Sequence, residues 1–283
     1  MSDIQRRKLT IRHRNRDYEL SYFVRQAGGS TILYLHGLGN TKQDFEGALV
    51  SEALNDYSLV GFDFPGCGES RSYYPEIPLG MDDLAAITHK LVLVLALEDI
   101  TIIGQSLGGV VGLLFARSYP KQLARFVNVE GNLTPEDCDI QSRDVFRHLF
   151  LGHEEAFFAT VQKRLTDDNK PGFKNFVTDL RKHIVDRAYF DYCRSIVDYS
   201  DGFPLLQQFI GLPMPTLYIH GSANSQLTQL KQLTEVGTSV VSVPDSDHFP
   251  TLTNPNYFYA AVSKFINDSS LNPMAKTGMN GDK

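Results

Sequence analysis

Short apolar runs alternate with helix-like segments along most of this 283-residue chain. Each run is apolar over most of its length, which is typical of strands buried on both faces of a parallel sheet. The alternation of such strands with helices predicts an α/β fold with a doubly wound, mostly parallel twisted sheet. The runs are Thr31–Leu35, Ser58–Phe62, Ile100–Ile103, Phe126–Val129, Thr216–Ile219 and Val240–Val243. The helix-like segments between them lie at about 43–55, 81–97, 107–118 and 225–235.

The N-terminal part has a different pattern. Residues 8–25 contain two alternating, strand-like stretches on either side of Arg14–Asp17, which predicts an N-terminal hairpin. Its basic residues favour a charged strand edge that resists aggregation over an anion-binding patch. These residues are Arg12, His13, Arg14 and Arg16.

The stretch from 132 to 210 has no buried-strand run and is too long for a structureless loop. Helix-like segments near 141–151, 153–165, 173–183 and 187–199 predict a helical cap inserted into the sheet domain. We therefore divide the chain into a core domain at 1–131 and 211–268, with a cap at 132–210. A last helix is expected at about 256–267, and the polar tail 269–283 is expected to be disordered.

Composition excludes several classes of protein. The longest apolar run, Leu91–Leu97, is far short of the roughly 20 residues of a membrane span, and the N-terminus lacks the apolar region of a secretory signal. Cys67, Cys138 and Cys193 have no C-x-x-C spacing, which argues against a disulfide framework or zinc site. A net charge of −6 disfavours nucleic-acid binding. These observations predict a cytoplasmic location and leave the oligomeric state open.

The motif Gly104-Gln105-Ser106-Leu107-Gly108 follows one apolar run and opens a helix-like stretch. This is the context of a nucleophile elbow, in which serine lies on a sharp turn between strand and helix. The glycines are needed because side chains at 104 and 108 would collide with the neighbouring strand and helix. We predict Ser106 as a nucleophile, with the dipole of the following helix beneath it.

A serine nucleophile needs a base, and His248 is the best placed of the eight histidines. It lies in a polar loop after the last buried strand, at the sheet edge where Ser106 also lies. His36 follows a strand as well, but its His-Gly context suits the organisation of a loop. The remaining histidines considered fall on the hairpin or on helix-like stretches, namely His13, His89, His148, His153 and His183.

A catalytic triad also needs an acid to orient the imidazole and stabilise its cation. Asn224 occupies the position after Thr216–Ile219 where a carboxylate is expected, and it cannot supply a negative charge. Glu130 ends the strand that follows the elbow, and a right-handed crossover places that strand beside the elbow strand. We predict Glu130 as the acid. The alternatives are a triad assisted by Asn224, or local action of Asp245 or Asp247.

An oxyanion formed during acyl transfer needs fixed backbone donors. The Leu107 N–H directly after the nucleophile is one candidate. The second is expected from the loop His36-Gly37-Leu38-Gly39, with the Leu38 N–H as first choice and that of Gly37 as second.

These motifs together resemble the α/β-hydrolase superfamily over roughly residues 8–268. The segment Asp63-Phe64-Pro65-Gly66-Cys67-Gly68-Glu69-Ser70 is similar to the family's structural turn, and 132–210 corresponds to its variable cap. The order Ser106, Glu130, His248 agrees with the family's order of nucleophile, acid and base. Some members carry the acid one strand earlier than usual, which supports Glu130. Serine at the elbow argues against the epoxide hydrolases and haloalkane dehalogenases, which carry Asp there.

The resemblance implies a carboxylesterase-like serine hydrolase that needs no cofactor and no metal. The expected partner is a small-molecule acyl substrate, namely a small or medium, fairly apolar ester, thioester or lactone. One alternative is a carbon–carbon bond hydrolase acting on a diketone-type substrate. Another is a receptor-like ligand-binding member with slow or no hydrolysis, which the Asn at 224 favours. Aromatic residues of the cap are expected either to line the pocket or to pack the cap onto the sheet. They are Phe146, Phe150, Phe157, Phe158, Phe173, Phe176, Tyr189, Phe190 and Tyr192.

Overall fold

A computed structural model describes residues 3–138, 142–143 and 183–268. It has an eight-stranded sheet in the order β1-β2-β4-β3-β5-β6-β7-β8. The first two strands are antiparallel to their neighbours, and the other six are parallel to one another. The predicted fold class is therefore confirmed. The strands are β1 Ile4–His13, β2 Arg16–Arg25, β3 Thr31–Leu35, β4 Ser58–Phe62, β5 Ile100–Gln105, β6 Leu123–Val129, β7 Thr216–Gly221 and β8 Ser239–Val243.

Helices cover both faces of this sheet. The α-helices are α1 Met81–Val94, α2 Leu107–Ser118, α3 Asp186–Gly202, α4 Leu205–Ile210, α5 Gln229–Glu235, α6 Pro250–Thr253 and α7 Pro255–Asn267. Short 3-10 helices lie at Lys42–Val50, Glu52–Leu54, Pro120–Gln122, Pro135–Cys138 and Ser222–Asn224. None of the helices in the described ranges has both the length and the apolar character needed to cross a membrane.

The alternation of side chains along β3 shows how the core is divided. Leu33 and Leu35 face a cluster that also contains residues of α1, α2, α3 and α4. Ile32 and Tyr34 face the opposite cluster, which contains residues of Lys42–Val50 and α7. All five residues of this strand are buried, as expected for a strand covered on both faces.

The hairpin turns at Arg14 and Asn15, whose φ angles are +46° and +61°. Positive φ at both central residues is typical of the two-residue turns that match the twist of a hairpin. Its basic side chains lie against carboxylates, which supports the charged-edge interpretation over an anion site. The ion pairs are Arg6–Glu46, Lys8–Glu19, Arg12–Asp17, Arg14–Asp83 and Arg16–Glu76.

The helix predictions differ in their outcome. The single helix predicted at 43–55 is instead a pair of 3-10 helices, Lys42–Val50 and Glu52–Leu54, and the interior Gly47 disfavours a continuous α-helix there. In the cap, the helix predicted near 187–199 is α3. The segments predicted near 141–151, 153–165 and 173–183, like the tail 269–283, lie largely or wholly outside the described residues. The division into core and cap stays a prediction.

Candidate active site

Ser106 lies between β5 and α2, with φ +53° and ψ −119°. Such a backbone conformation is costly for a residue with a side chain and is found where the surrounding structure enforces it. The glycines on either side explain how it is enforced. A Cβ at Gly104 would lie 2.2 Å from the Gly108 carbonyl oxygen, and one at Gly108 would lie 2.1 Å from that of Leu35. The elbow therefore requires both glycines, as the sequence predicted.

Glu130 follows β6, which pairs with β5 in parallel, so the ends of the two strands lie side by side. Its backbone also has a positive φ, +46°. The Ser106 N–H donates to the Val129 carbonyl at 3.0 Å, which joins the two turns directly. The structure thus brings Glu130 next to the elbow, as the strand order predicted.

The imidazole of His248 contacts this acid. Its Nδ1 lies 2.7 Å from Oε2 of Glu130, whose side chain is almost fully buried, while the imidazole is partly exposed. The amide of Gln105 donates to the His248 carbonyl at 3.1 Å, which ties the histidine loop to the end of β5. Asp247 Oδ1 accepts the Phe249 N–H at 3.0 Å. This bond lies within the loop that carries His248 and stabilises its conformation.

Asn224 also contacts Glu130, from the loop after β7. Its Nδ2 lies 3.0 Å and 2.8 Å from the two carboxylate oxygens. The Gly221 N–H donates to Oε1 at 2.8 Å. These donors hold the carboxylate in addition to its contact with the imidazole. The residue at the commoner acid position therefore supports the acid on the neighbouring strand.

The loop after β3 passes close to Ser106. A Cβ at Gly37 would lie 2.5 Å from Oε1 of Gln105 and 3.3 Å from Cβ of Ser106, so only glycine allows this approach. Leu38 lines the same cavity as Ser106. Leu107 is the first residue of α2, and the first N–H groups of a helix have no acceptor within the helix. Both predicted oxyanion donors thus lie on segments adjacent to Ser106.

His36 organises this loop. The Phe64 N–H donates to its Nε2 at 3.0 Å, so the ring proton is on Nδ1, which donates to the Gly37 carbonyl at 2.8 Å. Burial lowers the pKa of His36 and favours this neutral form. A ring with both nitrogens engaged is unsuited to act as the base.

The other histidines are engaged elsewhere. His13 contacts Asp83 at 2.8 Å, and His89 stacks on Tyr119 with ring centroids 3.7 Å apart. The buried His220 ring contacts the Gly221 carbonyl at 2.9 Å. His183 accepts the Gly68 N–H through its backbone carbonyl. His148 and His153 lie outside the described residues.

A buried ion pair behind the loop was missed by the sequence reasoning. Lys42 Nζ lies 2.6 Å from Asp63 and 2.8 Å from Glu69, and the side chains of Lys42 and Asp63 are almost completely buried. The Lys42 and Glu69 N–H groups also donate to the Asp63 carboxylate. This network joins the loop after β3 to the Asp63–Ser70 turn, so that turn is structural. The nearby Asn40 amide donates to Asp44, whose pKa burial raises to about 7.

A cavity of about 290 Å³ adjoins Ser106, Glu130 and His248. Of the cap aromatics, Tyr189 and Tyr192 are fully buried in the core, and the Tyr192 hydroxyl donates to the Pro65 carbonyl at 2.7 Å. They pack the cap onto the sheet, and Phe190 is absent from the described lining. The six phenylalanines lie outside the described residues, so an apolar pocket lined by cap aromatics stays a prediction. The rest of the described lining is Leu38, Asn40, Asn132, Glu136, Asp137, Ser142, Ile196, Tyr218, Asn224, Gln226, Leu227, Thr228 and Phe249.

The sheet order, the elbow and the cavity at the carboxyl ends of the strands define an α/β-hydrolase fold. A family model described as the alpha/beta hydrolase fold matches residues 30–255, and the chain belongs to this family. The predicted superfamily is thereby confirmed.

Among its curated relatives is a pimeloyl-[acyl-carrier protein] methyl ester esterase from Pectobacterium atrosepticum, 26% identical over 84% of this chain and 95% of that protein. A bifunctional biotin biosynthesis protein from Teredinibacter turnerae is 22% identical over 85% of this chain, which spans 45% of that protein's length. A solved esterase structure from Thermogutta terrifontis has a TM-score of 0.69 at 22% identity, covering 93% of this chain and 98% of that one. The family and the esterase relative from Pectobacterium atrosepticum support a hydrolase.

Proposed function

We propose that this protein is a carboxylesterase-like serine hydrolase that cleaves a small or medium ester, thioester or lactone through an acyl-enzyme on Ser106. The observation that carries the proposal is the 2.7 Å contact between His248 and Glu130 in the wall of the cavity that Ser106 also lines. A serine on a sharp turn, an imidazole and a fixed carboxylate are the groups that acyl transfer requires.

In the first half-reaction, His248 takes the Ser106 hydroxyl proton at Nε2 while the serine oxygen attacks the substrate carbonyl. Glu130 stabilises the resulting imidazolium through Nδ1 and holds the ring in its reactive tautomer. His248 then gives the proton to the departing alcohol, thiol or ring oxygen. In the second half-reaction, His248 removes a proton from water, which attacks the acyl-enzyme, and His248 then returns that proton to the Ser106 oxygen as the acid product leaves.

The Leu38 and Leu107 N–H groups stabilise the oxyanion formed in each step. Loss of one fixed oxyanion donor lowers kcat by a factor on the order of 10²–10³. Their positions depend on close packing around Gly37 and Gly108, both of which approach neighbouring atoms more closely than a side chain would permit. The first turn of α2 adds the positive end of the helix dipole.

The size of the cavity supports a small or medium substrate. About 290 Å³ is at the lower end of the range for ligand pockets. A relative is named as a methyl ester esterase, so methyl esters of increasing acyl length are the natural first panel, followed by thioesters and lactones.

Labelling with a fluorophosphonate tests the nucleophile. We expect one equivalent of label on wild-type protein, none on Ser106→Ala, and full labelling of Ser118→Ala, a control at the exposed end of the same helix. Absence of labelling in the wild type, or labelling that survives Ser106→Ala, would reject the proposal and favour a ligand-binding role. Labelling without turnover of any ester, thioester or lactone, together with cleavage of a diketone, would favour carbon–carbon bond hydrolysis.

A further inference from the structure

The cavity beside Ser106 has a buried amide in its wall. Asn132 lies two residues beyond Glu130, where the chain leaves β6, and its exposed fraction is 5%. It lines the cavity together with Ser106. The mechanism above assigns no role to this side chain.

The hydrogen bonds of Asn132 determine the orientation of its amide, that is, the positions of Nδ2 and Oδ1. Its Nδ2 donates to Cys138 Sγ at 3.1 Å and to Ser200 Oγ at 3.4 Å. The Cys138 thiol donates its own hydrogen to the Ile196 carbonyl, 3.8 Å away. The sulfur can therefore only accept from Asn132, so the amide nitrogen lies on that side.

Within the described part of the chain, no donor is seen for the carbonyl oxygen of this amide. None of the described residues donates a hydrogen bond to Asn132 Oδ1. An acceptor that lines a cavity and has no donor from the protein is normally paired with water or ligand. Because the residue lines the cavity, a bound molecule is in a position to supply the donor.

The charge of the cavity restricts what that molecule is. Its described lining contains the carboxylates of Glu130, Glu136 and Asp137 and no lysine or arginine. Two N–H groups, from Leu133 and Thr134, donate to Asp137 Oδ2 at 2.8 Å and 2.9 Å, so this carboxylate is held by its own loop. A substrate with a free carboxylate would meet negative charge without a basic partner.

We propose that Asn132 is a specificity-determining residue that accepts a hydrogen bond from the substrate. The substrate is then an uncharged ester, thioester or lactone with a hydroxyl or amide N–H group close to its scissile carbonyl. The inference rests on the proposed serine hydrolase function and narrows it. A substrate that lacks the donor leaves Oδ1 unpaired in the complex and reacts more slowly.

Matched substrate pairs test the donor preference. The acyl-side pairs are phenyl 3-hydroxybutyrate with phenyl 3-methoxybutyrate, and phenyl N-acetylglycinate with its N-methyl analogue. The alcohol-side pair is 2-hydroxyethyl acetate with 2-methoxyethyl acetate. We expect kcat/KM to favour the donor by about tenfold to a hundredfold in at least one pair. Monophenyl succinate, which carries a free carboxylate, should react more slowly than its methyl ester.

Two substitutions separate specificity from folding. Asn132→Leu and Asn132→Asp both remove the Nδ2 donor to Cys138, but only Asn132→Leu removes the acceptor. We expect Asn132→Leu to reduce the donor preference to within about threefold and Asn132→Asp to retain it. Thermal unfolding and the rate of fluorophosphonate labelling report whether each variant is folded with a working Ser106.

The inference is overturned if the wild type shows no donor preference in any pair, or if Asn132→Leu keeps it. It also fails if monophenyl succinate reacts as fast as its methyl ester. These results together with normal fluorophosphonate labelling would leave the serine hydrolase proposal intact. Loss of labelling in the wild type would instead contradict the proposed function itself.

Discussion

The Glu130 carboxylate is held by contacts from three residues: the His248 imidazole, the Asn224 amide and the Gly221 N–H. In a triad, an acid held in this way keeps the imidazole in one tautomer. Asn224 serves this arrangement because it is neutral and donates hydrogen bonds, whereas an aspartate there would repel Glu130. A missing acid at position 224 is therefore compatible with catalysis.

Glu130→Gln is expected to lower kcat by on the order of 10³–10⁴, because a neutral amide neither stabilises the imidazolium nor enforces its tautomer. Steady-state kinetics on any ester that the wild type hydrolyses will measure this loss. Circular dichroism spectra of both proteins provide the check on folding.

Asn224→Ala is the matched comparison for that experiment. It removes one supporting amide and leaves the Gly221 N–H and the carboxylate in place, so kcat should fall by about tenfold or less. A larger loss in Asn224→Ala than in Glu130→Gln would contradict the assignment of the acid.

At the scale of elements, the site depends on how closely β3, β5 and α2 approach one another. Gly108 lies in the first turn of α2 against the backbone of Leu35 and His36 at the end of β3. Backbone cannot move aside as a flexible side chain can. The glycines of the elbow therefore determine the distance between helix and sheet as well as the shape of the turn.

Gly108→Ala is expected to destabilise the fold by about 3 kcal/mol or more, because the new methyl group would overlap the Leu35 carbonyl. Urea unfolding measures the change. Gly202→Ala, at the end of α3, is the control, since nothing lies within 4 Å of a Cβ there, and it should be neutral or stabilising by up to about 1 kcal/mol. Equal stability of the two variants would contradict this account of the elbow.

The sequence predicted those elements that leave a local signal. The apolar runs located the parallel strands, with β3 and β4 at their observed bounds, and the crossover rule placed Glu130 beside Ser106. The contact of Asn224 with Glu130 could not be derived in the same way, because it depends on the path of the loop after β7. The Lys42 ion pair joins residues 21 and 27 positions apart, and no local pattern marks it.

The orientation of the aromatic side chains at 146–192 could not be predicted from the sequence either. Composition identified an aromatic segment, but it did not tell pocket-lining rings from packing rings. In the described part of the cap, Tyr189 and Tyr192 pack into the core. Which way a ring faces depends on the angle at which the cap helix lies on the sheet, and that angle is a property of tertiary packing.

For the whole molecule, the dependence of stability on pH is linked to Asp44 in the 3-10 helix Lys42–Val50. Burial raises the pKa of Asp44 to about 7 from an ordinary value of 3.8. Folding therefore favours the protonated form. The stability that this group contributes is fully present below about pH 4 and is lost as the pH rises towards 7.

Asp44→Asn removes this loss, because an amide stays neutral at every pH in the range. The difference in unfolding free energy between variant and wild type should grow by about 1 kcal/mol or more from pH 4 to pH 8, in favour of the variant. Urea unfolding at several pH values measures it. Glu52→Gln, at an exposed position, should show no such trend, and a flat difference for Asp44→Asn would contradict the raised pKa.

Ser106 and Glu130 both have positive φ, at the ends of adjacent strands. Each such conformation carries a cost of order 1–3 kcal/mol that glycine would avoid. Replacement of either residue by glycine would relieve this strain and, under the proposed mechanism, would also remove a catalytic group. The two turns therefore lower the stability of the fold in exchange for the positions that the proposed mechanism requires. Attempts to engineer a more thermostable variant should begin far from these turns, at surface positions where stabilising substitutions do not reduce activity.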